Sequence, residues 1–278
     1  MRKNKKIGAL LAAVLSFAFA ARGQAERGKV VKAMNFTVDK IRNIQVRTGS
    51  GDIRVDQANG EFVKVDAIDP ASGSGKCALT MEIQGVDLVV KAQSPKTAFF
   101  RFWKSRGCKI GFDIKAPGGL AVDAASGSGN VKVSSRQADV DIKTGSGDIE
   151  VRGLTGKLSA KAGSGSIQGE SLSDIRVFAG SGSVRLDRLT ASARVQTGSG
   201  DIDIEWIKVP EKGMVKVASG SGDVILSFPA GSKLSSRVRS LTGKVANDWG
   251  NLEGASFVVA ATVGSGNVAI KKLPAPNR

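Results

Sequence analysis

Carboxylates and cations are the residues most able to do chemistry in this chain, because histidine and tyrosine are both absent. Without histidine the commonest general base and metal ligand are missing, which excludes a His-based triad, a His-ligated zinc and a His-held haem. Asp201, Asp203 and Glu205 alternate along one predicted strand and could share a face. With Arg or Lys as the base, they leave a polysaccharide-active β-helix enzyme open as an alternative. The recurring Gly-Ser-Gly serines have no base beside them, and their recurrence indicates architecture. We therefore expect a protein that is not an enzyme.

Short acidic or amide residues follow many of the Gly-Ser-Gly motifs, in the manner of calcium-binding β-rolls. They are Asp52, Asn130, Asp148, Asp201, Asp223 and Asn267. The same position also holds Lys76, Ser166, Ser183 and Lys244. Because a lysine would repel a bound cation, the pattern indicates turn chemistry, and we expect neither a metal site nor a cofactor.

Basic residues recur at outward positions of the strand that precedes each corner. They are Lys143, Lys161, Arg176, Arg194, Lys216, Arg237 and Arg239. If successive strands stack about 4.8 Å apart, these residues form a cationic ladder along one sheet. The ladder could bind an extended polyanion such as an acidic polysaccharide or lipopolysaccharide, with nucleic acid less favoured. The alternative is a solvated face that keeps a flat sheet from aggregating.

A second candidate binding segment interleaves aromatic and basic residues. It consists of Phe99, Phe100, Arg101, Phe102 and Trp103. This composition suits sugar stacking or an anionic membrane surface, although the aromatics could equally plug one end of the fold. Trp206, in the longer turn that follows Glu205, is a weaker candidate of the same kind.

The elements that must position these residues come from a repeat. Gly-Ser-Gly occurs nine times, and the four steps between residues 127 and 198 are 18, 18, 17 and 18 residues. Apolar or small residues alternate with polar ones on both flanks, so each flank is a strand with one buried face. We expect the motif to be a tight corner where glycine supplies a positive φ. Each unit is then one coil of an all-β β-solenoid, with coils of about 18 to 23 residues.

The period predicts several segments. Residues 30–75 are N-terminal coils, 119–272 are the regular solenoid and 273–278 are a C-terminal tail. Residues 76–118 depart from the period and indicate an antiparallel insertion that caps the N-terminal end.

The N-terminus has the features of a secretory leader. Basic residues 2–6 precede an apolar run, and Ala18-Phe19-Ala20 is a cleavage signal. We expect residues 1–20 to be removed and the protein to act in the periplasm or outside the cell. In an oxidising compartment, Cys77 and Cys108 are expected to form a disulfide on the inner face of neighbouring strands, with two buried free thiols as the alternative.

The repeated Gly-Ser-Gly-Asp-Ile type motif resembles the bacterial putative-adhesin family of β-strand-repeat envelope proteins. The start at Val38–Ile44 and the segment Ile114–Gly119 are also similar to that family. The resemblance spans roughly residues 35–272 and implies an extracytoplasmic β-solenoid of no established activity. The predicted function is an envelope-binding or scaffold protein that presents a basic sheet to anionic polymers or surfaces. A purely structural assembly module is an alternative, and the oligomeric state stays open.

Overall fold

The computed structural model describes residues 28–70, 72–94, 107–250 and 254–274. All of the regular elements in this described part are strands, and they form two sheets of twelve and eleven strands. The strands are β1 Lys29–Thr37, β2 Asn43–Thr48, β3 Ile53–Gln57, β4 Phe62–Asp69, β5 Ala78–Gln84, β6 Asp87–Gln93, β7 Gly111–Ala116, β8 Ala121–Ser126, β9 Val131–Arg136, β10 Val140–Thr144, β11 Ile149–Leu154, β12 Leu158–Ala162, β13 Ile167–Leu172, β14 Ile175–Ala179, β15 Val184–Leu189, β16 Ala193–Ser199, β17 Ile202–Trp206, β18 Gly213–Ser221, β19 Val224–Pro229, β20 Leu234–Thr242, β21 Val245–Asn247, β22 Phe257–Ser265 and β23 Val268–Leu273.

Each regular coil contributes one strand to each sheet. In the coil of β10 and β11, β10 lies in the eleven-stranded sheet, the corner at Gly145 follows, and β11 lies in the twelve-stranded sheet. Strands of successive coils pair in parallel and in register, as Ile142 does with Ala160. Alternate side chains point inward and are buried, so one apolar core runs between the two sheets. The predicted β-solenoid is confirmed.

At the regular corners between residues 127 and 182, the glycines are required by the approach of adjacent coils rather than by a positive φ. A Cβ at Gly147 would lie 2.0 Å from the carbonyl oxygen of Gly129, and a Cβ at Gly145 would lie 2.4 Å from that of Gly127. Neither Gly145 nor Gly147 has a positive φ. The expectation of a positive φ therefore fails at these regular corners, where the stacking of coils itself leaves no room for a side chain, and holds at other corners, where Gly73, Gly222 and Gly266 have φ of 70°, 133° and 138°.

A buried hydroxyl supports several corners from inside. Thr144 accepts a hydrogen bond from the backbone N–H of Gly147 at 3.0 Å and donates to the carbonyl of Gly129 in the previous coil at 3.3 Å. Ser126 makes the equivalent pair of contacts with Gly129 and Gly51. These hydroxyls satisfy polar backbone groups that the corner would otherwise bury without partners.

Left-handed backbone occurs elsewhere in the coil, one residue before an inward side chain. Four consecutive coils place Ser135, Gly153, Ser171 and Arg188 there, with φ between 54° and 63°. Only one of the four is a glycine, although left-handed backbone strains every other residue.

The order of coils in space differs from their order in the chain at the N-terminal end. β2 lies between β6 and β8, and β3 lies between β7 and β9. The chain therefore forms the coil of β2 and β3 first and then adds β6 and β7 along one edge of that coil. Only afterwards does it form the regular coils along the other edge, beginning with β8 and β9.

The pairing at this N-terminal end is partly antiparallel. β5 and β6 form the expected antiparallel hairpin. β1 and β4 are antiparallel as well, and β4 also pairs antiparallel with β7. Antiparallel pairing thus extends beyond residues 76–118 into the segment predicted as N-terminal coils, where β2 and β3 alone form a parallel coil.

The C-terminal end contains a second change of order. β22 pairs with both β18 and β20, and β23 pairs with both β19 and β21. The last coil in the chain is therefore inserted between the two coils that precede it, and β20 and β21 form the terminal edge.

The predicted disulfide between Cys77 and Cys108 is confirmed, with the two Cα atoms 5.3 Å apart. Cys77 precedes β5 in the eleven-stranded sheet, and Cys108 precedes β7 in the twelve-stranded sheet. The bridge therefore joins the two sheets at the N-terminal end rather than two neighbouring strands of one sheet.

Candidate binding surface

The outward face of the eleven-stranded sheet carries the predicted basic residues. Arg176 on β14 pairs in register with Arg194 on β16, which pairs with Lys216 on β18. All three side chains are exposed, and neighbouring strands are about 4.8 Å apart. We call Arg176, Arg194 and Lys216 the cation row.

Lys143 and Lys161 occupy the adjacent outward row and pair with each other across β10 and β12. Lys143 forms an ion pair with Asp141, with 3.0 Å between its Nζ and the carboxylate oxygen. Lys161 is followed in the same row by Phe178, whose side chain is 47% exposed. The ladder thus begins with a neutralised lysine, and its second row continues through an aromatic residue.

Arg237 and Arg239 lie on the same face but do not continue the cation row directly. The inserted strand β22 separates them from Lys216 and places Ala260 and Thr262 at the intervening positions. The structure therefore divides the predicted ladder into two cationic groups with a neutral strand between them.

On the opposite, twelve-stranded sheet, several cations are paired with carboxylates. Its pairs are Arg54 with Asp56, Lys132 and Arg152 with Glu150, Arg185 with Asp187, and Arg188 with Glu170. In contrast, none of the cation row, Lys161, Arg237 and Arg239 forms an ion pair with any residue that the structure describes. Within the regular coils from β9 to β18, the outward strand cations that lack an ion pair among the described residues therefore lie on the eleven-stranded sheet, whereas Lys115 and Lys271, towards the two ends of the twelve-stranded sheet, also lack one.

A shallow depression of about 240 Å³ lies against the cation row. The three basic side chains line it together with Asp174, Ser192 and Met214. The Ser192 hydroxyl accepts a hydrogen bond from the backbone N–H of Met214 at 3.2 Å. The depression can receive an anionic group, and Asp174 is the one carboxylate at its border among the described residues.

Comparison with known proteins agrees with this architecture. The family described as Toastrack DUF4097 matches residues 41–272. The chain belongs to the Toastrack family. No curated protein is significantly similar to it in sequence.

Solved structures resemble the Toastrack chain at low sequence identity. A putative adhesin from Bacteroides fragilis is 15% identical with a TM-score of 0.52, and the match covers 87% of this chain and 96% of that one. A second structure, a putative adhesin from Parabacteroides distasonis, is 16% identical with a TM-score of 0.47, covering 88% of this chain and 98% of that one. A third, from the same organism and described as a putative lipid binding protein, is 17% identical with a TM-score of 0.44, covering 87% and 96%. The first of these likenesses supports the fold.

The acidic residues after the Toastrack corners hold successive coils together. The side-chain oxygen of Asp52 accepts the backbone N–H of Asn130 at 2.8 Å, and Asn130 in turn accepts that of Asp148 at 2.9 Å. The same bond recurs from Asp201 to Asp223 and from Asp223 to Asn267. Among the described residues no group of three or more His, Cys, Asp or Glu side chains is arranged to hold a metal.

A cleft with a volume of about 560 Å³ lies beside the first corners. Its carboxylates and cations bind one another, as Lys132 does with both Glu150 oxygens at 2.8 Å. The hydrogen bond from Arg54 to Asp56 raises the pKa of Arg54. Asp148 is engaged by the backbone N–H of Ser166. These named carboxylates and cations of the cleft therefore bind other groups of the protein.

The sequence predicted two aromatic ligand-binding sites, and the structure tests one of them. Trp206 is fully buried, stacks on Phe228 with 4.6 Å between ring centroids and donates its indole N–H to the carbonyl of Ala191 at 2.9 Å. It is therefore a core residue, and the prediction that it binds a ligand is wrong. Phe99, Phe100, Arg101, Phe102 and Trp103 lie outside the described residues, so their role stays a prediction.

Sequence reasoning missed Arg136, which is buried where the following coils have Leu154, Leu172 and Leu189. Its guanidinium donates hydrogen bonds to the carbonyls of Ala116, Pro117 and Leu120. Burial lowers the pKa of Arg136 to about 10, so the group is still charged at neutral pH. Alignment of the repeats would have identified Arg136, because it is a cation at a position where the following coils have leucine.

Proposed function

We propose that this protein is a non-catalytic, extracytoplasmic binding protein of the adhesin type. It would present the basic face of its eleven-stranded sheet to an anionic partner of the cell envelope, such as an acidic polysaccharide or lipopolysaccharide. The observation that carries the proposal is the cation row, in which three exposed side chains stand in register and form no ion pair with any residue in the described part of the chain. The adhesin names of the solved structures agree with such a role.

The electrostatics of the cation row favour an anionic ligand. Two like charges separated by one strand spacing repel by roughly 1 kcal/mol in water, and this repulsion is unrelieved on the basic face. A bound polyanion would convert it into attraction across three adjacent strands. Because the Debye length is about 8 Å at physiological salt, the attraction should weaken strongly as the salt concentration rises.

The disulfide and the leader-like N-terminus support the proposed extracytoplasmic compartment. A stable disulfide is typical of proteins in an oxidising environment, and this chain has one between Cys77 and Cys108. Within the described residues no helix is long and apolar enough to span a membrane. Residues 1–20, which carry the predicted leader, lie outside the described residues.

A pair of matched variants tests the proposal. The first replaces Arg176, Arg194 and Lys216 with Gln, and the control replaces Arg152, Arg185 and Arg188 on the opposite sheet with Gln. Both variants lose three positive charges, so a nonspecific effect of net charge should be equal in the two. The probes are polygalacturonate and purified lipopolysaccharide, titrated at low salt and monitored by calorimetry.

We expect the cation-row variant to bind about 100-fold more weakly, on the basis of roughly 1 kcal/mol for each cation. The control should change binding by less than about threefold, because its cations are already paired. Equal losses in the two variants, or no loss in either, would contradict the proposed surface. The second of these outcomes would favour the purely structural role.

A further inference from the structure

The insertion of β22 gives the basic face an apolar component. Met214 on β18 is 52% exposed and pairs across the strands with Val258 on β22, which is partly exposed. Ala260, the next outward residue of β22, separates Lys216 from Arg237. The outward residues Val258 and Ala260 of β22 therefore place an uncharged, largely apolar strand between β18 and the two arginines of β20.

A second exposed apolar residue lies across the cation row. Phe178 is the outward neighbour of Arg176 along β14, in the row opposite to that of Met214. From β12 to β20, neither the outward row that contains the cation row nor the outward row that contains Phe178 has a carboxylate. The arrangement is thus a line of cations with an exposed apolar side chain on either side.

This arrangement matches a surface that presents anionic groups above an apolar layer. A soluble polyanion could use the cations, but it offers nothing to the flexible thioether chain of Met214. The interface of an anionic bilayer offers both, because arginine and lysine reach the headgroups while neighbouring apolar side chains enter the acyl boundary. We propose that the outward face from β14 to β20 docks on an anionic phospholipid bilayer, an inference that rests on the proposed function of the cation row.

The charges on the remainder of the same face indicate which half of it would contact the bilayer. Its N-terminal half carries Asp87, Asp123, Asp139 and Asp141 on β6, β8 and β10 or beside them. Asp123 is paired with Arg47, and Asp141 with Lys143. Among the residues that the structure describes, this half has no row of cations without ion-pair partners, so we expect the C-terminal half to make the contact.

The test separates the apolar contribution from the charge contribution. One variant carries Phe178→Ser and Met214→Ser, and its control carries Phe62→Ser and Val86→Ser, two exposed apolar residues at the N-terminal end. The third is the Arg176→Gln, Arg194→Gln, Lys216→Gln variant. Each exported protein, with its N-terminus determined by sequencing, is floated with vesicles of phosphatidylglycerol and phosphatidylcholine in equal parts, and with phosphatidylcholine alone. Polygalacturonate serves as the soluble polyanion.

We expect the Phe178/Met214 variant to bind the anionic vesicles about 10-fold more weakly and to bind polygalacturonate as the wild type does. The Phe62/Val86 control should match the wild type on both probes. The cation-row variant should bind anionic vesicles about 100-fold more weakly and lose polygalacturonate as well. Phosphatidylcholine vesicles should retain none of the proteins.

Two results overturn the inference in different ways. If the Phe178/Met214 variant binds anionic vesicles as tightly as its control, bilayer docking by this face is wrong, while the proposed function survives on the polygalacturonate data. If the cation-row variant binds both probes like the wild type, the inference and the proposed function fail together. A Phe178→Trp variant gives a second readout, since docking predicts quenching of its fluorescence by brominated phospholipid and no quenching contradicts docking.

Discussion

At the scale of single residues, the backbone contacts between coils explain the repeated glycines. The second glycine of each regular corner lies so close to the previous coil that a Cβ would come within about 2 Å of a backbone carbonyl oxygen, as at Gly147 and Gly165. The serine between the glycines is exposed at the regular corners. The motif is therefore a packing requirement that repeats wherever two coils stack.

A Gly147→Ala substitution tests this packing requirement. We expect it to lower the free energy of unfolding by about 3 kcal/mol, because two backbone segments must move apart to admit the methyl group. Chemical denaturation of the purified variant provides the measurement. Gly119→Ala is the matched control, since no atom lies within 4 Å of a Cβ there, and an equal loss in both variants would contradict the explanation.

The left-handed residues give a prediction of opposite sign. Ser171 has a φ of 54° and occupies the position that Gly153 holds in the previous coil. Ser171→Gly should raise the free energy of unfolding by about 0.5 kcal/mol, because relief of strain exceeds the entropic cost of glycine. Ser159→Gly, at an extended strand position, should lower it by about 0.5 to 1 kcal/mol. If both changes lower the melting temperature, strain at Ser171 is not significant.

At the scale of strands and coils, the sequence predicts each element but not which elements are neighbours. Alternation of apolar residues locates β10 and β11 because their buried side chains follow a strict period of two. Stacking order is not encoded by that period. Every coil presents similar backbone edges. The pattern is therefore equally compatible with β22 at the end of the sheet, beside β20 alone, and with β22 between β18 and β20.

For the candidate surface too, the sequence predicted the residues but not their neighbours in other coils. Outward positions identified the cation row from the sequence, since inward and outward residues alternate on every strand. The pairing of Lys143 with Asp141, the separation of Arg237 from Lys216 and the burial of Trp206 depend on distances between coils. No single-strand pattern contains those distances.

The disulfide is an element-scale constraint on the N-terminal end. It closes a segment with a sequence separation of 31 residues that includes β5 and β6. Cys77→Ser with Cys108→Ser should lower the free energy of unfolding by about 3 kcal/mol, because the unfolded chain gains loop entropy. Thermal melting with and without dithiothreitol measures the effect. The reductant should destabilise the wild type and leave the double variant unchanged, and a wild type indifferent to reductant would contradict this role.

At the scale of the whole molecule, charge is distributed unequally between the two faces. The twelve-stranded sheet pairs Lys132 with Glu150 and Arg185 with Asp187, whereas the eleven-stranded sheet leaves Arg194 and its neighbours without ion-pair partners among the described residues. The face of the eleven-stranded sheet is therefore the one on which we propose that an anionic partner binds. A rigid stack of coils keeps the cations at a fixed spacing, so binding needs little reorganisation.

The central claim is that these three cations are the ones that contact the anionic partner. The most direct measurement is the salt dependence of polygalacturonate binding for the wild type, the cation-row variant and the Arg152/Arg185/Arg188 control. Each cation that contacts a polyanion contributes about 0.7 to the slope of log affinity against log salt concentration. We predict a slope about 2 units shallower for the cation-row variant and an unchanged slope for the control. Equal slopes in all three proteins would show that the partner binds elsewhere and would contradict the account.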